Sequence, residues 1–144
     1  MKFVYSYSHK LHYPQKEYHR GEMVTPFENP ERIDLIIRHL DEVGFTGNQC
    51  DDLWNSEPAL KVHSADYLQF LETAWLEWLA AGFKGDLMAG NFPVRRMQQR
   101  CPKHIDGKAG FYSSGNDTSI NDGTWEAVKA SCTVSYTHLR AHET

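Results

Sequence analysis

VHSADYLQFLETAWLEWLAAGFKG, residues 62–85, decides how the rest of the chain is arranged. Ser64 offers an N-cap oxygen, and Asp66 places a negative charge in the first turn, where the helix dipole favours it. Leu68, Leu71, Trp75, Trp78 and Leu79 recur at helical spacing and draw one wide apolar stripe. Gln69, Thr73 and Glu77 recur every fourth residue on the other side, which predicts a water-facing surface. Gly82 is placed to end the helix in a left-handed conformation. About eighteen helical residues span roughly 27 Å at 1.5 Å each. Tryptophans at two positions of one face need a large partner surface, so this helix packs on a substantial body.

Upstream of that helix, residues 29–45 carry a second helix with clear end signals. Asn29 is its N-cap, Pro30 opens the first turn, Glu31 follows, and Gly44 closes it. Ile33, Ile36, Ile37, Leu40 and Val43 form its apolar stripe. Residues 2–6 hold a continuous apolar run, Phe3, Val4 and Tyr5, as in a strand covered on both faces of a parallel sheet. Strand, loop and helix in this order predict the start of a βαβ unit in an α/β fold. Its second strand is weakly signalled, and either residues 50–54 or residues 59–62 could supply it.

Two stretches lack period. Residues 7–28 are polar and aromatic-rich, and read as a functional loop after the first strand. Residues 82–122 hold much Gly, Pro, Asn, Asp and Ser. A structureless run of that length suggests an interaction arm, and Phe83, Leu87, Met88, Phe92, Val94, Arg95, Arg96 and Met97 would suit a partner surface. Thr124 then caps a short helix, TWEAVKASCTV, with Trp125, Val128 and Cys132 on one side. The last ten residues, SYTHLRAHET, depart from the preceding pattern and resemble a translated sequencing adapter. Residues 135–144 are therefore read as a non-native tail, and His138 and His142 carry no chemistry in this reading.

The 144 residues suffice for about one domain. A formal net charge of −4 favours neither nucleic acid nor an anionic membrane as partner. No apolar run approaches the roughly 20 residues that a membrane span needs, and MKFVYSYSHK is too short in apolar residues for a signal peptide. The cytoplasm is the expected location. Cys50, Cys101 and Cys132 form no CxxC pair, so neither a disulfide framework nor a zinc knuckle is indicated. His9 and His12 form an HxxH with His19 nearby, but on a loop rather than on one helix face.

SHKLH (residues 8–12), Glu17, GEMVTPFENPERI (21–33), KVHSADYLQFLETAWLEWLAAGFKG (61–85), FPVRRM (92–97) and DGTWEAVKAS (122–131) carry a resemblance. Residues 1–134 resemble the N-terminal portion of acetylpolyamine amidohydrolases, in the arginase–histone deacetylase superfamily. The resemblance implies a three-layer α/β/α fold around a parallel sheet, here truncated, since a full-length member is about twice this length or more. It implies zinc-dependent hydrolysis of the acetamide of an acetylated polyamine, with zinc held by Asp and His ligands that activate water. Those elements fall downstream in the family, and no His-His pair or Asp-x-His pair occurs in this chain. No catalytic or metal residue is therefore assigned here, and this chain alone is expected to be inactive.

The resemblance does assign substrate-binding positions. Glu17 matches an acidic residue of the first long loop, Phe27 an aromatic lining the tunnel, and Asp106 and Asp117 stand where the family tends to have Glu. Residues 82–107 resemble the arm through which family members form homodimers. Each residue also has a plainer reading: Glu17 as a surface carboxylate, Phe27 as a core aromatic, Asp106 and Asp117 as turn residues. A protein-lysine deacetylase acting on acetyl-lysine is a second enzymatic reading. A non-catalytic binding or dimerisation module is a reading of another class.

Overall fold

The structure is a computed structural model and describes residues 2–50, 53–94 and 96–142. Its elements run β1 (Lys2–Tyr5), a 3-10 turn (Tyr7–Leu11), β2 (Glu17–His19), β3 (Glu22–Val24), α1 (Glu31–Glu42), β4 (Thr46–Gln49) and α2 (Glu57–Leu60). They continue as α3 (Ala65–Ala80), β5 (Leu87–Met88), α4 (Ile105–Tyr112), β6 (Ser119–Ile120) and α5 (Thr124–His142). The chain forms two compact units: Met1–Tyr13, Glu28–Val62 and Gly123–Thr144 make one, Pro14–Phe27 and His63–Asp122 the other.

The first unit contains the expected βαβ unit. β1 runs parallel to β4, from Lys2 opposite Thr46 to Tyr5 opposite Gln49, with α1 as the crossover. Asn29 Oδ1 accepts the Glu31 N–H at 3.0 Å and starts that helix. The second strand is at neither expected place. It follows α1 at once, where TGNQ carries no strand signal of its own. Pairing supplies what propensity does not: Phe3 lies opposite Gly47, and a Cβ on Gly47 would come within 2.6 Å of the Phe3 ring. Residues 59–62 instead belong to α2 and the turn after it, with Asn55 Oδ1 accepting the Glu57 N–H at 2.9 Å. Of the alternative 50–54, Asp51 and Asp52 lie outside the described residues.

α5 is longer than the stretch TWEAVKASCTV and packs on β1 and the 3-10 turn. Among the described residues its buried positions are Thr124, Ala127 and Ala130, while Val128 is exposed and Trp125 half-buried, edge-on to Trp54. The side chains of His138 and His142 lie outside the described residues. No residue of α1 is fully buried, and Leu35, Ile36 and Val43 are exposed. Among the described residues, the buried apolar side chains of this unit are Ala59, Ala127 and Ala130.

The second unit has a core of another kind. Phe70, Ala74, Leu87, Ala89, Ile105, Ala109 and Ile120 are buried together, with Tyr67, Leu71, Trp75, Trp78 and Tyr112 packed around them. The buried line of α3 is centred on Phe70 and Ala74, so the expected stripe is turned about the axis. Leu79 is exposed, whereas Thr73 and Glu77 are half-buried rather than water-facing. The cause is a second covering element: α4 lies on α3 from that side.

Residues 82–122 are thus not a structureless arm. β5 pairs antiparallel with β6, Leu87 opposite Ile120, and α4 lies between them in sequence. Gly110 is buried where a Cβ would collide with the Asn91 carbonyl oxygen, so the segment near residue 91 sits directly on α4. Gly82 ends α3 at φ 84°, and Phe83 then stacks on Trp78 with ring centres 4.0 Å apart. Phe92, Val94 and Met97 of the segment are exposed; Arg95 lies outside the described residues.

Residues 7–28 also hold more order than their lack of period suggests. β2 and β3 form an antiparallel hairpin, with Tyr18 opposite Met23. Arg20 at φ 51° and Gly21 at φ 95° make the two-residue turn, whose two left-handed positions match the twist of the strands.

The contrast between the units predicts a gradient of local stability. Amides around Phe70 and Ala74 in α3 should exchange with solvent at least about tenfold more slowly than those of Ile33 to Leu40 in α1. The exposed apolar face of α1 should also bind an apolar fluorescent dye in the folded chain. Equal protection of the two helices, with no dye bound, would contradict this reading.

Candidate functional site

Glu17, Phe27, Asp106 and Asp117 all belong to the second unit. Glu17 is not on an irregular loop but on β2, half-buried and opposite Val24. Its Oε2 accepts the backbone N–H of Phe27 at 3.1 Å. The Phe27 ring is 70% exposed and meets the His19 ring edge-on, 5.4 Å between centres. Phe27 is therefore neither a core aromatic nor enclosed by this unit. Gln15, at the entrance to the hairpin, donates its N–H to Asp86 Oδ2 at 2.6 Å, which pins that entrance to the segment just before β5.

Asp106 is exposed in the first turn of α4, where its charge suits the helix dipole. Two polar contacts anchor α4 on α3. Lys108 Nζ lies 2.7 Å from Glu77 Oε2, while Glu77 Oε1 accepts the hydroxyl of Thr73 on the same helix at 2.7 Å. The bonds from Lys108 and Thr73 hold the Glu77 carboxyl below its ordinary range. The Tyr112 hydroxyl donates to Asp66 Oδ2 at 2.8 Å. Burial, then the contacts with Cys101 and Asp66, push the Tyr112 phenol up, while Ser64 and Tyr112 hold the Asp66 carboxyl down. Asp117 is exposed in the turn before β6, its carboxylate folded over Gly115. The structure joins Glu17 to Phe27 directly and leaves Asp106 and Asp117 on separate elements.

His19 as the ring beneath Phe27 escaped sequence reading. The usable signal was the Arg20–Gly21 pair, which fixes a hairpin and so sets residues 17 and 19 on one strand face.

In the first unit, His9 and His12 border a cavity of about 300 Å³, with Glu28, Ile33 and Ser131 among its walls. They do not converge. His9 Nδ1 lies 2.7 Å from the Ser6 carbonyl, which can only accept, so Nδ1 carries the proton. His9 Nε2 lies 3.8 Å from Asp34, which also takes Lys10 at 3.0 Å. His12 Nδ1 is 2.9 Å from the Thr124 hydroxyl. Among the described residues, no three His, Cys, Asp or Glu side chains are grouped to hold a metal ion. These residues do not fit the zinc site that the sequence resemblance implies.

No family model matches the chain. The chain is 44% identical over 131 residues to an acetylpolyamine amidohydrolase of Mycoplana ramosa, covering 91% of this chain and 38% of that protein. It is 35% identical over 135 residues to acetylpolyamine amidohydrolase 2 of Pseudomonas aeruginosa, covering 94% of this chain and 39% of that protein. The crystal structure of acetylpolyamine aminohydrolase from Burkholderia pseudomallei superposes with a TM-score of 0.80 at 27% identity, over 92% of this chain and 38% of that one. The chain thus spans about two fifths of the length of the relatives it matches. Over nearly all of its own length it is similar to the N-terminal portion of acetylpolyamine amidohydrolases, and its α/β fold is theirs over that portion.

The Glu77 anchor has a definite pH signature. Folding lowers the Glu77 pKa from about 4.5, so the contact stabilises above that pH and is lost as pH falls through the lowered value. The pair is partly exposed, which limits it to about 0.5–1 kcal/mol after solvent screening. Glu77→Gln should lower Tm by roughly 1–4 °C at pH 7, and the difference should vanish under strongly acidic conditions. Thermal melts of both proteins across that range check this; an unchanged difference at low pH would contradict it.

Proposed function

We propose that this chain is the N-terminal part of a zinc-dependent deacetylase that hydrolyses the acetamide of acetylated polyamines. The relatives' names support the substrate class, and the joined Glu17–Phe27 pair supports the role of this portion. Such a substrate is a flexible alkyl chain with an ammonium several carbons from its acetamide. It needs a carboxylate for the charge and an apolar wall for the chain. Glu17 offers the first and the exposed Phe27 ring the second, held side by side. Asp106 and Asp117 would add negative charge to the entrance and draw in a polycation. Zinc is the cofactor of the whole protein in this reading, and no ligand to it is assigned among these residues. Residues 82–107 would contribute their exposed Phe92, Val94 and Met97 to a homodimer. Among the described residues no helix is long and apolar enough to cross a membrane, and the cytoplasm is the location we infer.

The test is a chimaera in which residues 1–134 replace the corresponding segment of the Mycoplana ramosa relative. It should release acetate from N-acetylputrescine, whereas the 144-residue chain alone should show no turnover and no stoichiometric zinc. In the chimaera, Glu17→Gln should lower kcat/KM for N-acetylputrescine by roughly 10- to 150-fold, the worth of a charge-assisted contact of about 1.5–3 kcal/mol. A neutral acetamide of similar length should lose much less. Equal losses on both substrates would make Glu17 structural only. A chimaera preferring acetyl-lysine peptides would favour a protein-lysine deacetylase instead.

A further inference from the structure

We infer that Glu17 is also a positioning residue, whose carboxylate holds Phe27 in place through the Phe27 amide and so couples the ring to the cation it reads. This rests on the reading of Glu17 and Phe27 as parts of a polyamine-binding lip.

The starting observation is an aromatic ring left in water. Phe27 is 70% exposed, so burial does not hold it. The chain leaves the hairpin at Val24, passes through the buried Pro26 and turns Phe27 back toward β2. There it meets two residues of one strand face. Glu17 Oε2 accepts its N–H at 3.1 Å, and the His19 ring meets its ring at 72°. Residues 17 and 19 share that face because side chains alternate along a strand. The register, Glu17 opposite Val24 and His19 opposite Glu22, fixes both against slippage.

A charged acceptor is the suitable group here. Phe27 N–H is accessible to water, and a neutral acceptor would barely compete with it; a carboxylate makes the stronger, shorter bond. The clamp uses one of the two carboxylate oxygens. Among the described residues Oε1 meets no donor, so a ligand ammonium can approach there while Oε2 still holds the amide. An ammonium at Oε1 draws electron density from Oε2 and weakens the amide bond that it accepts. Arrival of the cation is thereby transmitted to Phe27, the wall against which the ligand's alkyl chain would lie.

The experiment uses the complete 144-residue chain labelled with ¹⁵N, with N-acetylputrescine as probe. In the wild type, the Phe27 amide should be protected from exchange and its resonance should move as probe is added. Glu17→Ala should raise Phe27 amide exchange about tenfold and abolish the probe response. Glu17→Gln keeps an acceptor oxygen without the charge. It should raise the exchange rate too, though by less than alanine does, and still abolish the response. The cross-strand contact between Tyr18 and Met23 reports whether the hairpin survives. If alanine unfolds it, the isosteric glutamine variant carries the test alone. Unchanged Phe27 exchange in a folded Glu17→Ala overturns the clamp. A clamp that behaves as stated, with no probe response in the wild type, overturns the coupling and points instead at failure of the lip reading. A probe response that survives in Glu17→Gln overturns the assignment of the cation to this carboxylate.

Discussion

The closest constraint in this structure is the crossing of α3 and α4. Ala74 and Ala109 are both fully enclosed, and small side chains at these positions let the two helices approach. Phe70 fills the neighbouring space beside Tyr112, its ring stacked at 4.7 Å, and Leu87 and Ile120 close it from the β5–β6 pair. Glu77 and Lys108 then seal the polar side. Position of the β5–β6 pair and of the first turn of α4 follows from this packing, and with it the placement of Asp106. The hairpin is joined to the same body by the Gln15–Asp86 bond. A region that composition marks as loop-rich is thus organised by the helix before it, not by its own propensities.

The first unit obeys a different balance. Its βαβ unit is formed by the parallel ladder and by α1 as crossover, yet its enclosed apolar side chains are alanines among the described residues. Alanine burial removes little area from water, so such a unit gains little from its own packing. The Ile33, Ile36, Ile37 and Leu40 stripe of α1 is patterned for burial that these residues do not supply. Incomplete burial of that stripe, with Ile36 exposed and the others half-buried, and the enclosed core of the second unit explain why stability should differ within one chain.

Legibility followed the strength of local signals. Asn29, Pro30 and Gly44 mark α1, and Gly82 marks the end of α3, because such end signals are short-range matters that sequence records directly; Ser64 stands at the N-cap position of α3, but its hydroxyl caps no backbone N–H and turns to the Asp66 carboxylate instead. β4 was invisible because TGNQ becomes a strand only through pairing with β1, where Phe3 covers Gly47. The buried face of α3 lies a fraction of a turn from its apolar stripe, since two covering elements widen it toward Thr73 and Glu77. α4 was missed because IDGKAGFY contains glycines at positions 107 and 110 that lower helix propensity, and Gly110 is there for close approach. At the candidate site, residue identities came from resemblance to a family. The Glu17–Phe27 bond could not, because it depends on how the chain turns back beyond Val24, after the hairpin that Arg20 and Gly21 signal, and no residue pattern records that turn.

That bond also bears on how a carboxylate can discriminate among cations in a wet setting. A freely rotating surface glutamate would gain little from an ammonium, because it must be ordered on binding and both groups keep their water. Glu17 is half-buried on a strand, and one of its oxygens is already committed to Phe27. Most of its rotamer entropy is spent in folding rather than in binding, which is the general benefit of preorganisation. The same backbone contact brings an apolar ring to the charge. A ligand with both an ammonium and an alkyl chain meets both at once, whereas a simple inorganic cation meets only the carboxylate. In the proposed reading, selectivity for a long organic cation would follow from one hydrogen bond between the hairpin and the segment after it.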